Sequence, residues 1–202
     1  MKIIQKMSYG SADFLASQLE QGHLKRSEYY FGFQVVYQSI LKISVLTVLA
    51  LMLGTLKPTL FIVLSFTSLR FFSGGVHMDT YAKCLLITMA AFIPASLFCK
   101  HLILGQLVSI IIILCVAIIV AFIIWLWAPK DSPVNKIADK AKKTLKTASM
   151  LLMGGWSVLA VVFSLVGMTE ISVSICCGLL IEVSTILPAG AAVYTKLDKL
   201  IK

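Results

Sequence analysis

Twenty-seven consecutive residues, Leu102–Ala128, carry no charge. Ala148–Met168 adds 21 more uncharged residues, and Ile171–Tyr194 is 24 residues with a single charge, Glu182. A helix needs about 20 apolar residues to cross the hydrocarbon core of a bilayer. Inside that core every backbone polar group must find its partner within the chain, which favours helices. These runs therefore point to an all-α integral membrane protein. The composition agrees, with 59% hydrophobic and 13% charged residues, where soluble domains run at about 25% charged. A disordered chain, a solenoid of polar repeats and an ordinary soluble enzyme are excluded.

Six transmembrane helices are predicted. They run from about Ile40 to Leu56, Pro58 to Phe72, Cys84 to Cys99, Leu102 to Ala128, Ala148 to Met168 and Ile171 to Tyr194. The first three are short enough to be tilted or partly re-entrant. The net charge of +9 comes from 18 Lys and Arg against 9 Asp and Glu, and these charges flank the hydrophobic runs. That pattern fits the positive-inside rule better than nucleic-acid binding. With both termini cytoplasmic, 16 of the 18 Lys and Arg fall inside, and only Lys57 and Lys100 fall outside. Trp125 and Trp127 then sit at the cytoplasmic interface, as aromatic belts do. The first long apolar run starts near residue 40 and is not followed by a small-residue cleavage site, so no secretory signal peptide is expected.

Two segments read as amphipathic. Residues 1–39 precede the spans as interfacial helices. Ile3, Ile4, Met7, Phe14, Leu15 and Leu19 recur at helical spacing, Gly22 reads as a helix stop and Ser27 as the next N-cap. From Ser27 the pattern continues into the first span through Tyr29, Tyr30, Phe33, Val36 and Tyr37. The basic cytoplasmic loop 129–147 carries a stripe of Val134, Ile137, Ala138, Ala141 and Leu145, with Lys136, Lys140, Lys142, Lys143 and Lys146 covering most of the remaining surface. This stripe suits a helix lying on anionic lipid, and a solvated basic loop that only sets topology fits equally. No internal repeat is visible, which weakens a transporter built from inverted halves. The five cysteines form neither a disulfide framework nor a CxxC zinc pattern. No metal and no cofactor is expected.

The polar stretch between the second and third spans, residues 70–84, holds the candidate chemistry. Arg70, the Gly74-Gly75 pair, His77, Asp79 and Cys84 lie there within 15 residues. A cysteine needs a base to act as a nucleophile near neutral pH, because the free thiol is mostly protonated. A histidine within hydrogen-bond reach supplies one. In one straight helix, seven residues would separate the two by about 10.5 Å. His77 and Cys84 can therefore pair only if the chain between them bends back. Gly74 and Gly75 permit unusual backbone angles just before His77, and their N–H groups are candidates to hold an oxyanion. A metal centre is disfavoured, since zinc wants three or four ligands and only two good ones are close. His23 and His101 neighbour basic residues and read as interfacial.

These residues resemble the accessory gene regulator B (AgrB) family of bacterial membrane peptidases. The similarity is carried by Arg70, Gly74-Gly75-Val76-His77 and Cys84, with support from Gly32-Phe33-Gln34, Ala128-Pro129, Ile181-Glu182 and Leu187-Pro188. It extends over essentially the whole chain, read as one membrane-embedded peptidase domain, 1–202. The first three spans and the loop 70–84 fall in 40–99, and the last three spans in 102–194. The resemblance implies a cysteine endopeptidase of the bacterial cell membrane, with its active site facing the cytoplasm. It implies an AgrD-type propeptide substrate, removal of that propeptide's C-terminal tail, and closure of a thiolactone or lactone ring for quorum sensing. By the same resemblance Cys84 is the nucleophile and His77 its general base, and a homodimer is suggested.

Arg70 is a candidate to bind a propeptide carboxylate, with membrane anchoring as the alternative. Gln34 is a candidate to orient His77 or to donate to an oxyanion, with helix packing as the alternative. Glu182 inside the last span must be paired, protonated or turned to a polar cavity; structural pairing is the first expectation and substrate binding the second. Asp79 reads as a solvated loop carboxylate. The amphipathic N-terminal helix suits docking of a propeptide leader as well as it suits lipid. Two rival functions are a peptide exporter and a non-catalytic membrane scaffold. An exporter predicts polar residues lining several spans, and the long spans hold little beyond Glu182 and a few hydroxyls.

Overall fold

A computed structural model describes residues 2–19, 23–76, 80–102, 104–130 and 138–200. Among these the regular structure is all helical, in eight helices: α1 Lys2–Gln18, α2 His23–Met52, α3 Leu56–Ser73, α4 Tyr81–His101, α5 Gln106–Trp127, α6 Asp139–Leu165, α7 Thr169–Ile186 and α8 Pro188–Leu200. They fall into two compact units, residues 1–49 and 50–202.

In the first unit the small residues Ser8, Ala12 and Ala16, spaced four apart on α1, are buried. The larger apolar residues Ile3, Met7, Phe14 and Leu19 are exposed. Such a helix presents its greasy stripe outward, as a lipid-facing helix does. Stacked rings of Tyr9 and Tyr30 at 4.1 Å, a hydrogen bond between Ser11 and Tyr37 at 2.8 Å and the Arg26–Asp13 ion pair tie α1 to α2. The predicted stop at Gly22 lies outside the described residues.

The core of the second unit is built by α3, α5, α6 and α7 around Leu69, Ile113, Val120, Ile124, Ile175 and Leu179. α7 is buried along most of its length. Outward positions such as Leu107, Ile118 and Leu151 are at least 70% exposed. A soluble protein would not leave that many large apolar side chains uncovered. α3 and α7 cross closely at Gly178, where an added Cβ would lie 2.6 Å from the Ile62 carbonyl oxygen and collide with Ser65. Small residues at helix crossings are the usual packing device inside a bilayer, where dispersion replaces the hydrophobic drive.

Among the described residues, five helical segments are long and apolar enough to cross a membrane: Lys25–Met52, Tyr81–His101, Gln106–Trp127, Ala141–Leu165 and Thr169–Ile186. They correspond to the predicted first, third, fourth, fifth and sixth spans. α3, at the predicted second span, is not among them, because Lys57 and Arg70 dilute its 18 residues.

The fourth span begins at Gln106, not Leu102, and three other predicted boundaries shift. The first span begins far upstream, in one 30-residue helix that absorbs the Ser27 segment. The basic segment does not end before the fifth span; from Asp139 it is the first turns of α6. Its Ala, Lys and Leu residues are good helix formers, and no Pro or Gly interrupts them. Lys146 lies over the Trp125 ring at 5.9 Å. The stripe residues Val134 and Ile137 lie outside the described residues. The last span stops at Ile186, not Tyr194. Leu187 takes an extended backbone, φ −53° and ψ 135°, because the residue before a proline is pushed out of the helical region. Pro188 then opens α8, where a missing N–H costs nothing.

Candidate active site

The candidate loop begins where α3 ends. Gly74 at φ 75° and Gly75 at φ 137° turn the chain out of the helix, and such angles suit glycine because it has no Cβ. Space demands glycine as well. A Cβ on Gly74 would lie 2.7 Å from the Lys130 carbonyl oxygen, and one on Gly75 would lie 2.8 Å from an Arg70 guanidinium nitrogen and collide with Thr185.

Arg70 sits one turn before this bend and reaches across to α7. Its Nη1 donates to Glu182 Oε2 at 3.2 Å and to Thr185 Oγ1 at 2.9 Å. Its Nη2 donates to the Val76 carbonyl. Its guanidinium lies over the Phe66 ring at 5.4 Å. The fully buried Glu182 also accepts from Ser73 Oγ at 2.8 Å, through Oε1. Thr185 closes the cluster by donating to the Glu182 backbone carbonyl at 2.8 Å. Each buried polar atom here has a partner, which is the condition for tolerating charge in a low-dielectric interior.

Lys130, just past α5, buttresses the other side. Its backbone N–H donates to the Ser73 carbonyl at 3.0 Å, and Gly74 and Lys130 pair as an isolated parallel bridge. Its Nζ donates to the Ile186 carbonyl at 3.1 Å. Burial pushes the Lys130 ammonium below its usual pKa.

His77 and Asp79 lie outside the described residues. The chain is described again from Thr80, and α4 starts at Tyr81. Cys84 stands on its first turn, its N–H bonded to the Thr80 carbonyl at 3.1 Å. Thr88 Oγ1 caps the Cys84 carbonyl at 2.7 Å. Cys84 is a half-buried, reduced thiol. Next to it, Lys83 donates to the Asp198 carbonyl and faces Asp198 Oδ1 at 3.3 Å, which ties the end of α8 to the start of α4. Gln34 is half-buried on α2, in the first unit.

Of the candidate residues read from the sequence, the structure brings Arg70, Gly74, Gly75 and Glu182 into one cluster. Sequence reasoning missed Ser73, Thr185, Lys130 and the Lys83–Asp198 pair. Thr185 had a signal, since it follows Glu182 by three residues and shares its helix face. Ser73 lies three residues after Arg70 and had the same signal. Among the described residues no three His, Cys, Asp or Glu side chains converge as a metal site would need.

Apolar helices around a buried ionic cluster, with a cysteine on the first turn of one candidate span, define a polytopic helical membrane protein with a polar centre. The chain belongs to the accessory gene regulator B family, whose model it matches over residues 8–186. That family belongs to the accessory gene regulator type of quorum-sensing system, in which it acts with AgrD. Among its relatives is the accessory gene regulator protein B of Staphylococcus intermedius, 30% identical over 64% of this chain and 67% of that protein. A putative AgrB-like protein of Listeria welshimeri is 26% identical over 84% of this chain and 78% of its own length. One of Clostridium acetobutylicum is 25% identical over 60% and 59% respectively. No solved structure matches the chain.

Proposed function

We propose that this protein is a membrane cysteine endopeptidase and peptide cyclase acting on an AgrD-type propeptide. The observation that carries this reading is Cys84, half-buried on the first turn of α4, in a chain of this family. A helix N-terminus is the end whose free N–H groups favour negative charge, which suits an anionic sulfur and the oxyanion it creates.

In the proposed reaction His77 takes the Cys84 thiol proton, and the sulfur attacks the scissile carbonyl. The C–N bond breaks, the tail's amine leaves with the proton held by His77, and a thioester joins the remaining propeptide to Cys84. An internal cysteine thiol of the propeptide then gives its proton to His77 and attacks this thioester. Cys84 leaves as its thiol, and the product is a thiolactone. A serine in that place would give a lactone. One thioester replaces another in the thiolactone case, so the exchange is nearly balanced in energy and needs no coupled ATP. Water must be kept out, or the thioester hydrolyses to a linear peptide, and a site at the membrane interface serves that end.

Six spans with both termini in the cytoplasm accompany this reading, α3 being the second. The 16 to 2 distribution of basic residues supports it, and it puts Cys84 on the side where the propeptide is made. Anionic lipid of the inner leaflet and a second copy of the chain are the other proposed partners.

The test is a mass-spectrometric assay of purified protein in lipid with its cognate propeptide. Native protein should release the tail and form a cyclic product one water lighter than the linear peptide. Cys84→Ala and His77→Ala should do neither. Undiminished cleavage in Cys84→Ala would refute the assigned nucleophile. A native chain that binds propeptide without cleaving it would favour export or scaffolding.

A further inference from the structure

We propose that Arg70 and Glu182 are paired positioning residues that set how the chain enters the His77 segment, and are not a receptor for carboxylates of the propeptide. The proposal rests on His77 being the general base.

Glu182 is fully buried, and both of its carboxylate oxygens are engaged, one by Arg70 and one by Ser73. A group so enclosed cannot reach a substrate. Arg70 is committed too: Nη1 serves Glu182 and Thr185, and Nη2 serves the Val76 carbonyl. The guanidinium is confined on one side by the Phe66 ring and on another by Gly75, where no Cβ would fit beside it. With both N–H groups of Nη1 and one of Nη2 so used, an end-on bidentate clamp through Nη1 and Nη2 on an incoming carboxylate would have to give up these bonds.

The bond to Val76 gives the cluster its purpose. That carbonyl belongs to the peptide group joining Val76 to His77, and a peptide group is planar. Holding its oxygen fixes the plane from which the chain enters residue 77. The fork of the guanidinium is rigid, and Glu182 anchors it to α7. The orientation of this one peptide is thus referred to the most buried helix of the unit. Lys130 fixes the same turn from the other side through the Ser73 carbonyl. A lysine at position 70 would keep the charge and lose the fork.

The experiment compares native protein, Arg70→Lys, Glu182→Gln, Ser73→Ala and His77→Ala, each in lipid and matched for monodispersity. Steady-state kinetics with the cognate propeptide are run beside alkylation by iodoacetamide across pH, followed at the Cys84 peptide by mass spectrometry. Positioning predicts that kcat falls about 100-fold in Arg70→Lys and Glu182→Gln, the scale expected when a reacting group is misplaced by about an ångström. KM stays unchanged. The pH profile of Cys84 alkylation moves to that of His77→Ala. Ser73→Ala keeps the ion pair and loses one bond to it, so it should show the same pattern more weakly and serves if Glu182→Gln does not fold. A raised KM with native kcat in Arg70→Lys would overturn the proposal in favour of carboxylate binding. Native kcat, KM and alkylation profile in all three variants would overturn it outright. Native cleavage by His77→Ala would instead refute the general base, and the positioning argument would fall with it.

Discussion

The pairing of α3 with α7 is made in two different ways along its length. Around Gly178 the helices touch through backbone and small side chains, with the Ile62 carbonyl and Ser65 pressed against a position that has no room for a Cβ. Further along both helices, they are joined by Arg70 and Ser73 on α3 and by Glu182 and Thr185 on α7. The first junction gains dispersion by close approach and desolvates no charge. The second takes two charges out of water and regains that cost only through well-aligned bonds. If holding helices together were the sole requirement, the first device would serve at both ends. What the second adds is direction, since a hydrogen-bonded fork fixes orientation where a smooth contact does not. The directional junction is the one next to the candidate loop.

Breaking each junction should therefore cost different things. The largest effect is expected from Glu182→Ala, which strands the Arg70 guanidinium, and removing one partner of a buried pair costs about 3–5 kcal/mol. Thermal unfolding in mild detergent should show that loss, and tail release should vanish with it. Gly178→Ala comes next. The new methyl must push α3 away, and overpacking costs about 1–3 kcal/mol. Here the melting temperature should fall while the cleavage rate per folded molecule stays native. A parallel loss of rate would mean that the two junctions are not separable. The smallest effect is expected at the tie between α8 and α4. Asp198→Asn removes the charge facing Lys83 but leaves the bond to the backbone carbonyl, so it should cost about 1 kcal/mol or less. Hydrogen exchange of α8 should rise more than that of α7.

Much of this architecture could be read from the sequence because a bilayer imposes a length and a charge rule on each helix. Leu102–Ala128 has few alternatives to a span. Where competing local rules met, apolar content misled. Ile171–Tyr194 reads as one run, yet Pro188 decides that it is two helices. The reverse holds at Asp139, where lysines suggested a surface segment and helix propensity carried the chain straight into α6. Within the candidate site, the Gly74-Gly75 turn and the need of Glu182 for a partner were legible. Its identity was not, because 112 residues separate Arg70 from Glu182 and periodicity says nothing about contacts at that range. Lys130 was hidden for the same reason, its role depending on where the end of α5 happens to lie.

The double fastening of residues 73–76 has a consequence for insertions and deletions. One extra residue between Arg70 and Ser73 would rotate everything after it by about 100° around the helix axis. Arg70 and Ser73 could then no longer both reach Glu182, and Gly74 would turn away from Lys130. The stretch from Arg70 to Val76 should therefore behave as a fixed-length ruler, intolerant of any change in residue count, whereas residues added between Val76 and Thr80 leave the spacing of Arg70, Ser73, Gly74 and Val76 unchanged.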